Sequence, residues 1–219
     1  MHRSRVREAI LGAVLTVFAL VGGLVLAFVV GSVVNSALDF KVSTGLQRVL
    51  ATISASLAML LGSTLWSIGM ARLAGAALTR RIWWAGTLGF VPMTILVSAG
   101  LTLAEPFVFT AQLPVHRLFT ALFVPSVGLI AGSSALALGW ALRMGRASFA
   151  LAARTGLAAA LAFLAVNLGM EALGWQVGGP GAEERATMIT VLFAGDVAAA
   201  LAGGAVLGGR LAGPRREVA

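Results

Sequence analysis

Six stretches of this sequence, residues 9–34, 49–71, 82–104, 118–142, 155–170 and 186–209, contain no charged side chain other than Asp196. A helix rises about 1.5 Å per residue, so about 20 apolar residues cross the roughly 30 Å of hydrocarbon in a bilayer. Five of the stretches exceed that length, and the fifth in order reaches it when extended to residues 151–173. Backbone N–H and C=O groups find no water in hydrocarbon, and a helix pairs them within its own span. The predicted class is therefore an all-α integral membrane protein, a six-transmembrane-helix bundle forming one domain over residues 1–219. The first stretch far exceeds the apolar core of a signal peptide, about 7 to 15 residues, and is expected to stay in the mature chain.

The composition agrees: 59% of residues are hydrophobic and 11% charged, against about 25% charged in soluble domains. A soluble core this apolar would lack the polar surface to cover it. The net charge of +8 does not indicate a nucleic-acid partner, because the basic residues fall in short separate clusters and form no continuous face. Arginine supplies all of them except Lys41, which reads as the bias of a GC-rich bacterial genome. Without cysteine the chain has no thiol nucleophile, thiolate-bound zinc or disulfide.

Lys and Arg concentrate in short cytoplasmic loops, and their placement orients the spans. Arg3, Arg5 and Arg7 precede helix 1; Arg72, Arg80 and Arg81 join helices 2 and 3; Arg143, Arg146 and Arg154 join 4 and 5; Arg210, Arg215 and Arg216 follow helix 6. Lys41, Arg48, Arg117 and Arg185 are left for the other side, where Asp39, Glu105, Glu171, Glu183 and Glu184 also fall. The expected protein is a multi-pass component of the cell (inner) membrane with N- and C-termini cytoplasmic. The connection from Glu105 to Arg117, with Pro106, Phe107, Phe109 and Pro114, is apolar enough to dip into the membrane interface.

Transporters are often built from repeats. Gly62-Ser63-Thr64 is followed by Gly69, and Gly132-Ser133-Ser134 by Gly139, at the same spacing; Ala194-Gly195-Asp196 offers a partial third copy. These positions suggest repeated two-helix hairpins, although abundant Ala, Gly, Leu and Ser also generate such matches by chance.

Asp196 is the carboxylate deep within a span, about 15 Å from the start of helix 6 at 1.5 Å per residue and so near the midplane. A charge there costs about 2.5 to 3.5 kcal/mol on the insertion scale, which marks a functional candidate. Its face continues through Ala199, Ala200, Gly203 and Gly204, and Gly204-x-x-x-Gly208 forms a track for close helix contact. Thr94 and Ser98 belong to a polar stripe on helix 3, Ser63 to one on helix 2 and Ser133 to one on helix 4. Asn167 and Glu171 lie four apart on helix 5, and Pro92 and Pro125 are candidate kinks. One reading makes the hydroxyls bond back to their own helices and the acid an uncharged packing residue. The other makes the stripes a partly hydrated path, with Asp196, Asn167, Glu171, Ser63, Ser133, Thr94 and Ser98 as binding or coupling residues.

The chain contains no H-E-x-x-H, G-x-S-x-G or P-loop pattern, and His2 and His116 are too few for a histidine metal site. Neither an enzyme nor a cofactor is expected. The leading expectation is transport of an ion or small solute, with the lipid bilayer as surroundings. The alternative is a non-catalytic subunit or scaffold that docks other membrane subunits or a second copy of itself. Six spans, this length and Ala9-x-x-x-Ala13 are similar to the substrate-binding membrane subunit of vitamin-type ATP-driven importers, a likeness that would imply an ATPase partner.

Overall fold

The computed structural model describes residues 5–38, 44–110, 115–175 and 182–211. Among them are six α-helices and no strand: α1 Arg5–Leu38, α2 Thr44–Leu73, α3 Arg80–Thr110, α4 Val115–Ala141, α5 Ala147–Ala172 and α6 Ala182–Leu211. Four helices, α1, α4, α5 and α6, contain described segments long and apolar enough to cross a membrane. Every helix is longer than its uncharged stretch, because hydrocarbon thickness limits the apolar run while helix propensity carries the backbone into charged flanks. The apolar connection expected over 105–117 is accordingly mostly helix, with α3 running to Thr110 and α4 starting at Val115. Both helices continue through their prolines, Pro92 and Pro125.

Consecutive helices pack side by side, and α6 returns to pack along α1, closing a ring in sequence order. Contacts across the ring, from α4 to α6 and from α2 to α6, are slight. Lipid supplies no hydrophobic drive between helices, so close approach of backbones must do the work of association. The seams use small residues for this. A methyl group added to Gly204 would sit 2.6 Å from the Gly12 carbonyl, and one on Gly208 would overlap the Glu8 carbonyl. Across α4 and α5, a methyl on Gly156 would lie 2.6 Å from the Gly128 carbonyl; on the α3–α4 seam, one on Gly89 would lie 2.8 Å from the Ser133 carbonyl. Outward faces carry exposed Phe18, Phe28, Leu88, Leu96, Leu161 and Ile189, a surface that suits hydrocarbon as solvent.

The two tight turns at the arginine-bearing end are set by helix caps. At the end of α2, Ala76 N–H donates to the Ala71 carbonyl and Gly75 N–H to the Arg72 carbonyl, with Gly75 at φ 67°. That pattern satisfies helix-terminal carbonyls and requires a left-handed residue, for which glycine is suited. The end of α4 repeats it, with Met144 N–H on the Gly139 carbonyl and Arg143 N–H on the Trp140 carbonyl, yet the left-handed position holds Arg143 at φ 58°. A side chain in this region costs about 1 kcal/mol or more. Arg143→Gly is therefore expected to raise the thermal unfolding midpoint of the detergent-solubilised protein; an unchanged midpoint would mean that the guanidinium contributes as much in place.

Just inside these turns, Trp66, Met70, Ala85, Ala135, Leu138, Leu151 and Leu207 form a buried apolar layer, against which Leu15 and Ala19 of α1 pack. All six helices contribute to it. Above the layer, towards the middle of the helices, the ring lines a partly open cavity.

Candidate functional site

The cavity has a volume of about 300 Å³ and draws its walls from all six helices. Its wall is mainly apolar, with Leu20, Leu24, Met59, Phe90, Val127 and Ile130, interrupted by a few polar groups. Those are Thr16 on α1, Ser63 and Trp66 on α2, Thr94 on α3, Ser134 on α4, Thr155 on α5 and Asp196 on α6. Few polar groups in a largely apolar concavity of this size are the usual make-up of a small-molecule site.

Asp196 is the sole ionisable side chain on the wall among the described residues. The helix register puts it there: Ala199, Ala200, Gly203, Gly204 and Leu207 follow it at spacings of three and four along the same stripe of α6 and also line the cavity. Gly195, immediately before it, turns the other way and packs on Phe163 and Asn167 of α5. Asp196 makes no hydrogen bond or ion pair with the described residues. The packing reading, in which a neighbouring Asn or Ser satisfies the acid, lacks its partner.

The hydroxyls on the wall behave differently. Ser63 Oγ donates to the Leu60 carbonyl at 2.9 Å, Thr94 Oγ1 to the Phe90 carbonyl at 2.8 Å, Thr16 Oγ1 to the Gly12 carbonyl at 2.8 Å and Ser134 Oγ to the Ile130 carbonyl at 2.9 Å. Trp66 Nε1 in turn donates to Thr16 Oγ1 at 3.0 Å, tying α2 to α1. A hydroxyl has one proton and two lone pairs. With its proton committed to its own helix, each of these oxygens has only acceptor capacity left for the cavity.

Thr155 is the exception. Its side chain is 3% exposed and its Oγ1 has no hydrogen-bond partner. An orphaned buried hydroxyl costs about 1 to 3 kcal/mol, and this one belongs to a residue of the cavity wall while its oxygen is itself buried. Thr155 and Ala159 lie level with Gly203 of α6, while Phe163 and Asn167 lie level with Gly195. The seven-residue step from Asp196 to Gly203 therefore separates the acid from the level of Thr155 by about 10 Å along the bundle.

The cavity thus gathers Asp196, Ser63 and Thr94 from the residues singled out in the sequence. Ser133 is elsewhere: its Oγ reaches across to the Gly89 carbonyl of α3 at 2.7 Å and serves the α3–α4 seam. Asn167, 6% exposed, spends its amide on the Phe163 carbonyl at 2.9 Å, and Glu171 stands a turn further out on α5, away from the wall. The side chain of Ser98 lies outside the described residues. No family model, curated protein or solved structure matches this chain. The geometry therefore carries the functional argument.

Sequence reasoning missed Thr155, which stands beside Arg154 and reads as the edge of a span. It is nonetheless a hydroxyl four residues before Ala159 and eight before Phe163, on the buried face of α5. Glu8, at the arginine-bearing start of α1, is 2% exposed, because its backbone carbonyl packs against Gly208 and draws the residue into the α1–α6 seam. Among the described residues no group of three or more His, Cys, Asp or Glu could hold a metal ion.

Proposed function

We propose that this protein is a six-span transport protein of the bacterial inner membrane, with both termini cytoplasmic, that carries an ion or small solute through its helical ring. In this reading the central cavity is the binding site and Asp196 the binding or coupling carboxylate. A carboxylate near the midplane with no partner among the described residues, on the wall of a cavity built by all six helices, is the observation that supports it. Intramembrane acids face bundle interiors or hydrated cavities and mark substrate and ion pathways. The apolar layer of Trp66, Met70, Leu138, Leu151 and Leu207 acts as the closed gate at the arginine-bearing end. Opening that layer gives the alternating access that transport requires.

The absence of cysteine makes the test direct. A thiol reacts as the thiolate, which forms in water and not in hydrocarbon. In Ala200→Cys the new thiol lines the cavity, one turn from Asp196; in Leu161→Cys it is on the exposed apolar face of α5. Ala200→Cys is expected to react with membrane-impermeant methanethiosulfonates added to right-side-out and to inverted vesicles, while Leu161→Cys stays unmodified. Reaction from one face alone would favour a binding subunit of a larger complex, and reaction from neither would overturn the transport reading.

A further inference from the structure

We propose that the solute is an organic monocation, an amine or alkylammonium, whose charged head sits at Asp196 and whose apolar body occupies the space between Phe90, Trp66 and the small residues of α6. This deepens the transport reading and rests on it. Three features of the wall select this class.

The first is the balance of hydrogen-bonding capacity. Thr16, Ser63, Thr94 and Ser134 have committed their protons to carbonyls, and the Trp66 N–H is spent on Thr16. With no Lys, Arg or His on the described wall and the Thr155 oxygen buried, an anion entering the cavity meets lone pairs and a carboxylate. A cation with N–H donors meets acceptors. The second is the count of charges. One acid balances one positive charge, whereas calcium or magnesium takes six or more oxygen ligands and usually several carboxylates. The third is the apolar character of the rest of the wall. A small inorganic cation would give up its hydration to Leu20, Leu24, Met59 and Phe90, which return nothing. An organic cation is weakly hydrated, buries its hydrocarbon against the same residues, and gains attraction from an aromatic face within about 6 Å. Volume agrees, since about 300 Å³ is far more than a bare ion needs.

Charge selection at the Ala200→Cys thiol tests this in membranes containing the whole chain. Two methanethiosulfonates of similar size are compared, trimethylammonioethyl and sulfonatoethyl, each rate being divided by its rate with 2-mercaptoethanol in solution. The cationic reagent is expected to be favoured at least tenfold. Adding Asp196→Asn brings the ratio close to one, adding Asp196→Glu retains it, and adding Ser133→Ala, which serves a seam away from the wall, leaves it unchanged. n-Butylammonium slows the cationic reagent saturably; n-butanol and n-butyrate do not. Equal normalised rates for the two reagents, or protection by butanol as effective as by butylammonium, would overturn the cationic assignment while leaving a hydrated transport cavity in place. An excess of the anionic reagent would overturn it as well. Failure of both reagents from both faces would overturn the assignment together with the transport reading beneath it. The ratio in Ala200→Cys with Asp196 intact decides the question even where Asp196→Asn folds poorly.

Discussion

Converting both Gly204 and Gly208 to alanine is expected to open the seam between α1 and α6 and to remove most of the folded protein from the membrane. A methyl at Gly208 overlaps the Glu8 carbonyl and stands 2.9 Å from the Gly12 Cα; one at Gly204 stands 2.6 Å from the Gly12 carbonyl. At Gly208 the obstructing atoms are all backbone, and at Gly204 the Gly12 carbonyl is joined by the Thr16 side chain at 2.5 Å; backbone cannot turn aside as a side chain can, so the helices themselves must separate. Overpacking typically costs about 1 to 3 kcal/mol per site, and two sites one turn apart on a single seam bring the loss to about 3 kcal/mol or more. The seam matters beyond its length because α1 and α6 are the one non-consecutive pair that closes the ring. Thr16, which accepts the Trp66 N–H, lies on it against Gly204, so separation also breaks the tie between α1 and α2 on the cavity wall. Gly22→Ala is the matched control, since nothing lies within 4 Å of a methyl there. Thermal unfolding followed by size-exclusion chromatography in mild detergent reads both. A double variant as stable as the control would contradict the close α1–α6 packing.

The helices and their order were legible in the sequence because the bilayer imposes one dominant rule: a spanning segment must be predominantly apolar over a fixed length. The seams were legible in part. Gly204 and Gly208 stand four apart as a helix-contact track should, and they pack on Gly12 as expected of such a track. The repeat of Gly62-Ser63 and Gly132-Ser133 was a poorer guide. Gly62 packs on Ala19 and Gly23 of α1, the preceding helix, whereas Gly132 packs on Ala152 and Gly156 of α5, the following one. Small residues are useful on every seam of such a ring, so their recurrence records close packing and need not record equivalent positions.

The site was legible where charge was involved and obscure where only hydroxyls were. Asp196 stood out because its cost in hydrocarbon is large and its depth follows from counting residues. Ser63, Ser133 and Thr94 carry equal sequence signals, yet Ser63 and Thr94 line the cavity while Ser133 bonds across a seam. A helical stripe specifies a face to within about a third of the circumference, and cavity wall and seam share that third. Thr155 could be recognised only from what it lacks. An unsatisfied hydroxyl is a property of the assembled bundle and leaves no mark in the spacing of residues.

The largest energetic effect expected of a single residue concerns Asp196 and the insertion of its own helix. Over residues 186–209 the eight Ile, Leu, Val and Phe side chains supply roughly −2 to −5 kcal/mol, and the aspartate takes back about 2.5 to 3.5 kcal/mol. The isolated segment should therefore insert incompletely in a translocon assay that scores glycosylation on either side. Asp196→Leu removes the penalty and adds an apolar contribution, a shift of about 3 to 4 kcal/mol, or more than a hundredfold in the ratio of inserted to translocated chain. Insertion should become essentially complete. A wild-type segment that already inserts fully would refute this balance and show that Asp196 costs the helix little. In the whole protein the other five helices join α6 in lining the cavity that holds the acid, and on the transport reading they lift the burden. Asp196→Leu should then assemble as well as the wild type while losing the preference for the cationic reagent at Ala200→Cys. Easier insertion combined with lost selectivity is the outcome that separates an acid retained for binding from one retained for packing, because a packing residue would lose assembly when replaced.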